Sequence, residues 1–313
     1  MLSLIARRLV WALPLLLVVS ALSFVLVSLV PGDPARAILG PDASQAQYLL
    51  LRRQLGLDQP LYLQYYDWLR GVVHGNLGIS LFTGEPVTTI LNQRLGVSLT
   101  LIAAALLVAA VAGVALGTLS AVRGGRLGRA VDAVAMLGLA VPSFWLALLL
   151  IAVFAVGVPL FPATGWVPFS TSPAGWLHAL VLPVATLAFS ALTIIVVQTR
   201  DAMLDVLSRD FIQVLRANGF PARSILLRHA LRNAAIPVVT VLGIIFIGLL
   251  TATVLVETVF ALPGLGSQAV EAATQHDLPV IQGEVLYFTV IVVLVNLLTD
   301  VAYGLLDPRV RVR

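Results

Sequence analysis

Long apolar runs that are nearly free of charge constrain this chain more than any other feature. A helix of about 20 apolar residues crosses the roughly 30 Å hydrocarbon core of a bilayer. Six runs reach that length, at residues 9–30, 97–122, 133–157, 177–197, 236–256 and 280–304. With 59% hydrophobic and only 11% charged residues, a soluble globular fold is excluded. The pattern predicts an all-α polytopic membrane protein with about six transmembrane helices.

The order of the runs predicts three regions. Residues 1–30 form an N-terminal segment and the first span, which is longer than the apolar part of a usual signal peptide, so we expect it to remain uncleaved. Residues 31–96 form a long polar loop outside the cytoplasm. Residues 97–313 form a core of five spans, with a cytoplasmic loop at 200–235.

Arginine is distributed unevenly between the two sides. The nineteen basic residues are all arginine, and fourteen of them fall on the N-terminal side of the membrane when the six spans are drawn. Because cytoplasmic loops are enriched in basic residues, both termini are predicted to be cytoplasmic.

The external loop contains one segment with helical periodicity. Apolar residues recur from Leu61 to Val73 beside Gln64, Asp67 and Arg70, which predicts a short amphipathic helix whose tyrosines favour the membrane interface. Two roles remain open for this region: a packed brace for the spans, or a contact for a protein that docks on the external side. In the second span, Gly113 and Gly117 lie one helical turn apart and predict the close approach of a neighbouring helix.

The longest charged segment on the cytoplasmic side is the loop at 200–235. Gly219 favours a positive φ, and Pro221 suits the first turn of a following helix, so the segment predicts helix, tight turn and helix. After the turn, Arg223, Arg228 and Arg232 alternate with apolar residues. We expect a short amphipathic helix there, lying along the membrane with its basic face toward a soluble partner.

This loop resembles the EAA loop of ABC-importer permeases, above all those of the dipeptide, oligopeptide and nickel subfamily. Leu215 and Asn218 depart from the residues that are commonest in that subfamily. The similarity is carried by Asp210-Phe211-Ile212, Arg216-Ala217-Asn218-Gly219, Leu227–Ala234 and Pro237, and also by Pro31–Pro34, Glu257–Phe260, Pro263–Gly266 and Leu306–Arg309.

The resemblance implies a permease subunit whose coupling helix docks on an ATPase subunit. It further implies a homologous second permease, two ATPase subunits and an external substrate-binding lipoprotein, with ATP and Mg²⁺ bound by the ATPase partners and no cofactor in this chain. Dipeptides or oligopeptides are the expected cargo, with nickel chelates, glutathione and opine-like compounds as alternatives. The interface is expected to contain Arg216, Ala217, Asn218, Gly219, Phe220, Pro221, Arg223 and Arg228.

The residues themselves argue against catalysis by this chain. It has no lysine, so it lacks the P-loop lysine of an ATPase. It has no cysteine, and its four histidines are scattered without metal-ligand spacing. A stand-alone secondary transporter remains the alternative of a different class, although the span carboxylates lie near helix ends. A membrane scaffold without transport is a further alternative.

Two polar residues of the sixth run are candidates for a substrate path. Glu284 lies near the outer end, where solvation at the interface is the simpler expectation, and contact with a cationic substrate group is the alternative. Asn296 lies deeper, where a hydrogen bond between packed helices is the simpler expectation and substrate contact is the alternative.

Overall fold

The structure is a computed structural model that describes residues 2–29, 33–40 and 42–306. Pro31 and Gly32 of the first resembled motif, and the C-terminal Asp307-Pro308-Arg309, lie outside the described residues. Within the described ranges the chain is helical, and its extended backbone pairs only in an isolated antiparallel bridge between Ile79 and Pro86. The prediction of an all-α protein is confirmed.

Helices follow one another along the described chain. The α-helices are α1 (Leu2–Ser28), α2 (Pro34–Leu39), α3 (Gln45–Gln54), α4 (Leu61–Val73), α5 (Val87–Arg123), α6 (Gly125–Ala140), α7 (Ser143–Ile151), α8 (Pro173–Ser208), α9 (Asp210–Ala217), α10 (Ala222–Ser224), α11 (Leu231–Val259), α12 (Leu265–Gln275) and α13 (Leu278–Leu306). Two π-helical segments, Ala152–Gly157 and Ile225–Ala230, follow α7 and α10.

Five of the described helical stretches are long and apolar enough to cross a membrane. They are Ala6–Ser28, Val87–Arg123, Pro173–Ser208, Ala222–Val259 and Leu278–Ala302. The region of the third predicted span is divided, with a shorter apolar helix at Ser143–Gly157. Pro142 causes the break: it removes a backbone donor and disfavours helical geometry at Val141, and it caps the start of α7.

Two helices extend beyond the apolar runs that predict them. α5 begins at Val87, ten residues before the predicted start at residue 97, and α8 runs on to Ser208. The start of α8 is set locally, since the Ser172 hydroxyl accepts a hydrogen bond from the Gly175 amide at 3.1 Å and Pro173 occupies the first turn.

One compact unit contains residues 99–262 and those from 295 onward. Within it, α5 passes so close to α8 that a Cβ added at Gly113 would lie 2.7 Å from Cγ2 of Ile195. A Cβ added at Gly117 would lie 2.6 Å from the carbonyl oxygen of Val196. The close approach predicted from Gly113 and Gly117 is therefore confirmed, and α8 is the neighbouring helix.

A second compact unit contains residues 2–98 and 263–294. The carboxylate of Asp277 accepts hydrogen bonds from the Ser80 hydroxyl and the Leu81 amide, which fixes the segment before α5 to the start of α13. The predicted amphipathic helix at Leu61–Val73 is confirmed as α4.

The first polar turn of this second unit is built around Asp33. Burial raises the pKa of Asp33, but hydrogen bonds from the Tyr48 hydroxyl and the Ala35 amide, together with the charge of Arg52, outweigh it and lower the pKa below its ordinary value. Asp33 is therefore a carboxylate that caps α2.

Candidate docking site around an exposed turn

The loop predicted to carry the partner interface begins where α8 ends. Arg209 separates α8 from α9, and its guanidinium donates to the carboxylate of Asp205 at 2.6 Å, four residues earlier. The amide of Ile212 in turn donates to the carbonyl oxygen of Arg209 at 3.0 Å. The chain therefore changes direction at one residue and starts a new short helix.

The turn after α9 has the hydrogen bonds of a Schellman motif. The Phe220 amide donates to the Leu215 carbonyl oxygen at 3.2 Å, and the Gly219 amide donates to the Arg216 carbonyl oxygen at 3.0 Å. Gly219 has a φ of +74°, so its predicted left-handed conformation is confirmed. Asn218 adds a side-chain bond to the Val214 carbonyl oxygen at 2.9 Å. Pro221 caps α10, one residue before the helix begins.

A buried apolar cluster lies beneath the turn. Ile212 of α9 is fully buried, and it packs with residues from the end of α8 and from the segment after the turn. The cluster consists of Met203, Val206, Ile212, Ile225, Ala230 and Ala234. Because interiors of this kind are close-packed and resist compression, the turn is attached to a firm base that is shared with α8 and α11.

The outer surface of the turn is exposed, basic and partly apolar. Phe220 has 46% of its surface exposed, and Leu227 is also exposed. The rings of Phe220 and His229 form a T-shaped pair across the turn, with centroids 6.1 Å apart. The structure places every predicted interface residue at this surface, namely Arg216, Ala217, Asn218, Gly219, Phe220, Pro221, Arg223 and Arg228.

A groove of about 790 Å³ lies beside the turn. Leu207 and Leu226 contribute apolar walls, and Arg216, Phe220 and Arg223 also line it. An exposed aromatic ring beside guanidinium groups is the side-chain combination that protein interfaces favour. The geometry suits a protein partner whose surface complements both the apolar groove and the positive charge.

The prediction of a short helix after the turn is wrong. The helix that starts at Ala222 continues through the π-helical segment and α11 as one stretch, Ala222–Val259. Pro237 lies inside α11 and does not start a new helix. The short helix is α9, which precedes the turn. The basic side chains of Arg223 and Arg228 are therefore on the first turns of a long membrane helix.

The π-helical segment at Ile225–Ala230 is a feature that the sequence did not predict. Segments of this type accommodate an extra residue in a helix and are frequent at functional sites. Its two end residues, Ile225 and Ala230, are buried in the apolar cluster, while Leu227 and Arg228 between them are exposed. No local propensity signal would have identified it.

The two candidate path residues are found in different environments from those expected. Glu284 is only 2% exposed, so the expectation that it is solvated at the interface is wrong for this chain. Asn296 is exposed on α13, and its side chain makes no hydrogen bond to another described residue, so the expected packing bond within the chain is not found. Neither observation assigns a substrate contact. Among the described residues, no group of three metal-ligating side chains is present.

Comparison with protein families decides the class. A family model described as binding-protein-dependent transport system inner membrane component matches residues 113–312, and the model for the N-terminal part of such components matches residues 1–102. The chain belongs to this family. It is accordingly a permease subunit, located in the inner membrane with several spans, in a family that works with ATPase and binding-protein partners.

Curated relatives in this family match over almost their whole length. A Brucella abortus (strain 2308) protein named as a peptide transport system permease is 41% identical, with 99% of each chain covered. The glutathione transport system permease protein GsiC of Escherichia coli K12 is 38% identical, again with 99% of each chain covered. The resemblance to ABC-importer permeases of the peptide type is confirmed.

A solved structure supports the fold. A chain from inward-facing conformations of the MetNI methionine ABC transporter aligns with a TM-score of 0.58 and 20% sequence identity, covering 70% of this chain and 97% of that one. At this identity the match speaks for the fold alone. This chain therefore has the fold of an ABC-importer permease.

Proposed function

We propose that this permease imports dipeptides or oligopeptides, as one of two homologous permease subunits that together enclose the path. Its relatives are named for peptide transport and for glutathione transport, and glutathione is itself a short peptide. Nickel chelates and opine-like compounds are the alternative cargo. Selection of the cargo lies mainly with the external binding lipoprotein, which presents it to the pair of permeases.

The exposed turn is the proposed site of coupling to an ATPase subunit. The observation that carries this proposal is the exposed turn at Gly219 on a buried base that continues into α8 and α11. A force applied to Phe220 or Arg216 is transmitted to two membrane helices through close-packed side chains. Closure of two ATPase subunits on ATP would thereby reorient the spans of both permeases.

The positive charge of the exposed turn indicates which ATPase surface would complement it. Arg216 and Arg223 line the groove, and Arg228 and Asp210, at the start of α9, are exposed as well. An acidic rim around an apolar pocket on the ATPase would complement this surface and speed association. ATP and Mg²⁺ would be bound entirely by the ATPase subunits, since this chain has no lysine for a P-loop.

The proposed orientation has both termini and the turn in the cytoplasm. Fourteen of the nineteen arginines are then on the cytoplasmic side, as the positive-inside rule requires. In this arrangement the segment at residues 31–96 lies on the external side of the membrane. Glu284 and Asn296 are the proposed contributions of α13 to the path, because polar side chains are rare within an apolar membrane helix and often mark a substrate pathway.

Uptake by a reconstituted system tests the proposal. The chain is placed in sealed vesicles with its second permease, both ATPase subunits and the binding lipoprotein, and labelled peptide is followed with and without ATP. Accumulation is expected only with ATP and the full set of subunits. Accumulation by this chain alone, without nucleotide, would instead identify a secondary transporter, and assembly without any transport would identify a scaffold.

A further inference from the structure

Helix α4 has two apolar faces, of which only one is packed. On the packed face, the ring of Tyr65 stacks on Trp68 and meets the edge of Phe24 in α1, with centroids 6.0 and 5.5 Å apart. On the other face, Tyr62, Tyr66 and Val73 recur at helical spacing and are 71%, 61% and 78% exposed, and the exposed Arg70 lies beside Tyr66 and Val73. We call Tyr62, Tyr66 and Val73 the exposed stripe. A large apolar surface of this kind needs a partner.

Contacts with α1 fix the depth at which α4 lies. The Tyr65 hydroxyl is 2.9 Å from Oγ of Ser20 and donates to the Leu17 carbonyl oxygen at 3.3 Å. Ser20 precedes the end of α1 at Ser28 by eight residues, or about 12 Å at 1.5 Å per residue. α4 therefore lies beside α1, well before the end of an apolar helix that is long enough to cross the membrane.

Contacts with the start of α13 give a second, independent measure of how far Ser20 lies inside the span ends. Gln282 donates to the Ser20 carbonyl oxygen at 2.7 Å and accepts from the Ser23 hydroxyl at 2.9 Å. Gln282 is four residues, or about 6 Å, inside the apolar stretch that begins at Leu278. Ser20, and with it Tyr65, thus lies inside the ends of two apolar helices at once.

We propose that α4 is embedded in the membrane, in the leaflet around the Ser28 end of α1, with the exposed stripe in contact with lipid. Half of the hydrocarbon core is roughly 15 Å thick, so the Tyr65 hydroxyl, which contacts a residue about 6–12 Å inside the span ends, lies within that leaflet. Tyrosine favours this region because its ring is apolar and its hydroxyl reaches the headgroups. Asp67, on the side of α4 away from the stripe, remains exposed to water.

Depth also decides between lipid and a docked protein as the occupant. A soluble binding protein reaches surfaces above the span ends, whereas the exposed stripe belongs to a helix that is hydrogen-bonded below them. The inference is independent of which substrate the permease carries.

Spin labels on the assembled transporter test the proposal. Because the chain has no cysteine, Tyr62→Cys, Tyr66→Cys, Val73→Cys and the control Asp67→Cys each carry one label. The complexes are reconstituted in phosphatidylethanolamine and phosphatidylglycerol vesicles, and collision with oxygen is compared with collision with a water-soluble nickel chelate. Retained peptide uptake shows that each variant is folded.

In the expected result, oxygen dominates at the three stripe positions and the nickel chelate dominates at Asp67. Nickel access at all four positions would overturn the proposal. Nickel access at the stripe that disappears when the binding protein is added would overturn it as well, and would identify that protein as the occupant.

Discussion

Replacing Gly219 by valine perturbs the backbone of the exposed turn without adding a steric clash. Its φ is +74°, and an added Cβ meets no atom within 4 Å, so the cost comes from the dihedral angles alone. A left-handed conformation costs an ordinary L residue about 1–2 kcal/mol, and more for a β-branched one. A free-energy cost of 1.4 kcal/mol changes an equilibrium constant by a factor of about ten. Valine is therefore expected to lower the population of the native turn, relative to other backbone conformations, by at least about tenfold.

A series at this position separates strain from side-chain size. Asparagine tolerates the left-handed region better than alanine, and valine tolerates it least, so peptide uptake is expected to fall in the order Gly, Asn, Ala, Val. ATP-dependent uptake in vesicles is the assay, with the amount of inserted permease measured in parallel. We expect Gly219→Val to remain inserted, because the turn is exposed and the spans are untouched.

Gly84 provides a matched control. It has a φ of +71° and also meets nothing within 4 Å, but it lies in the segment before α5 and outside the coupling surface. Gly84→Val should therefore carry the same strain and retain uptake. Wild-type uptake by Gly219→Val would refute the reasoning, and so would an equal loss in both valine variants.

Two further substitutions test packing and the path. Gly117→Ala should lower the thermal stability of the purified permease by the equivalent of about 1–3 kcal/mol, because the new Cβ would lie 2.6 Å from the backbone oxygen of Val196. The control Gly96→Ala should have little effect, because a Cβ at Gly96 meets no atom within 4 Å. An equal effect of both would contradict the close approach. Glu284→Gln should slow uptake of peptides with a free amino group more than uptake of N-acetylated peptides; equal rates for both would remove Glu284 from the path.

Local chemistry explains which parts of the fold could be predicted from the sequence. The spacing in Leu61–Val73 predicted α4, the glycine pair predicted the close approach of a neighbouring helix, and Gly219 predicted its own φ. In each case the signal and the structure depend on the same few neighbouring residues.

The ends of the helices were harder to predict. Hydrophobicity indicates how much of a helix is apolar enough to face lipid, and it does not indicate how far the backbone hydrogen bonds of that helix continue. α5 runs through Asn92, Gln93 and Arg94 before its apolar part begins, and these polar residues do not interrupt a helix. Pro142 breaks a helix while Pro237 is accommodated inside one, so a proline in an apolar run does not by itself mark the end of a helix.

The candidate docking site was predicted in its residues but not in its architecture. Charge and turn residues identified the surface around Gly219, whereas the base beneath it brings together Met203, Ile212 and Ala234 from three helices. Burial of Glu284 likewise results from tertiary contacts that a single sequence does not report.

Photo-crosslinking from the exposed turn tests the central claim most directly. Phe220→Cys introduces a single thiol, to which a photoreactive group is attached in the assembled, transport-competent complex. The account predicts a covalent product with an ATPase subunit, and none from the control position Val73→Cys, which is even more exposed. Absence of an ATPase product from Phe220→Cys in a complex that still transports would contradict the account, as would labelling of that thiol from outside intact cells.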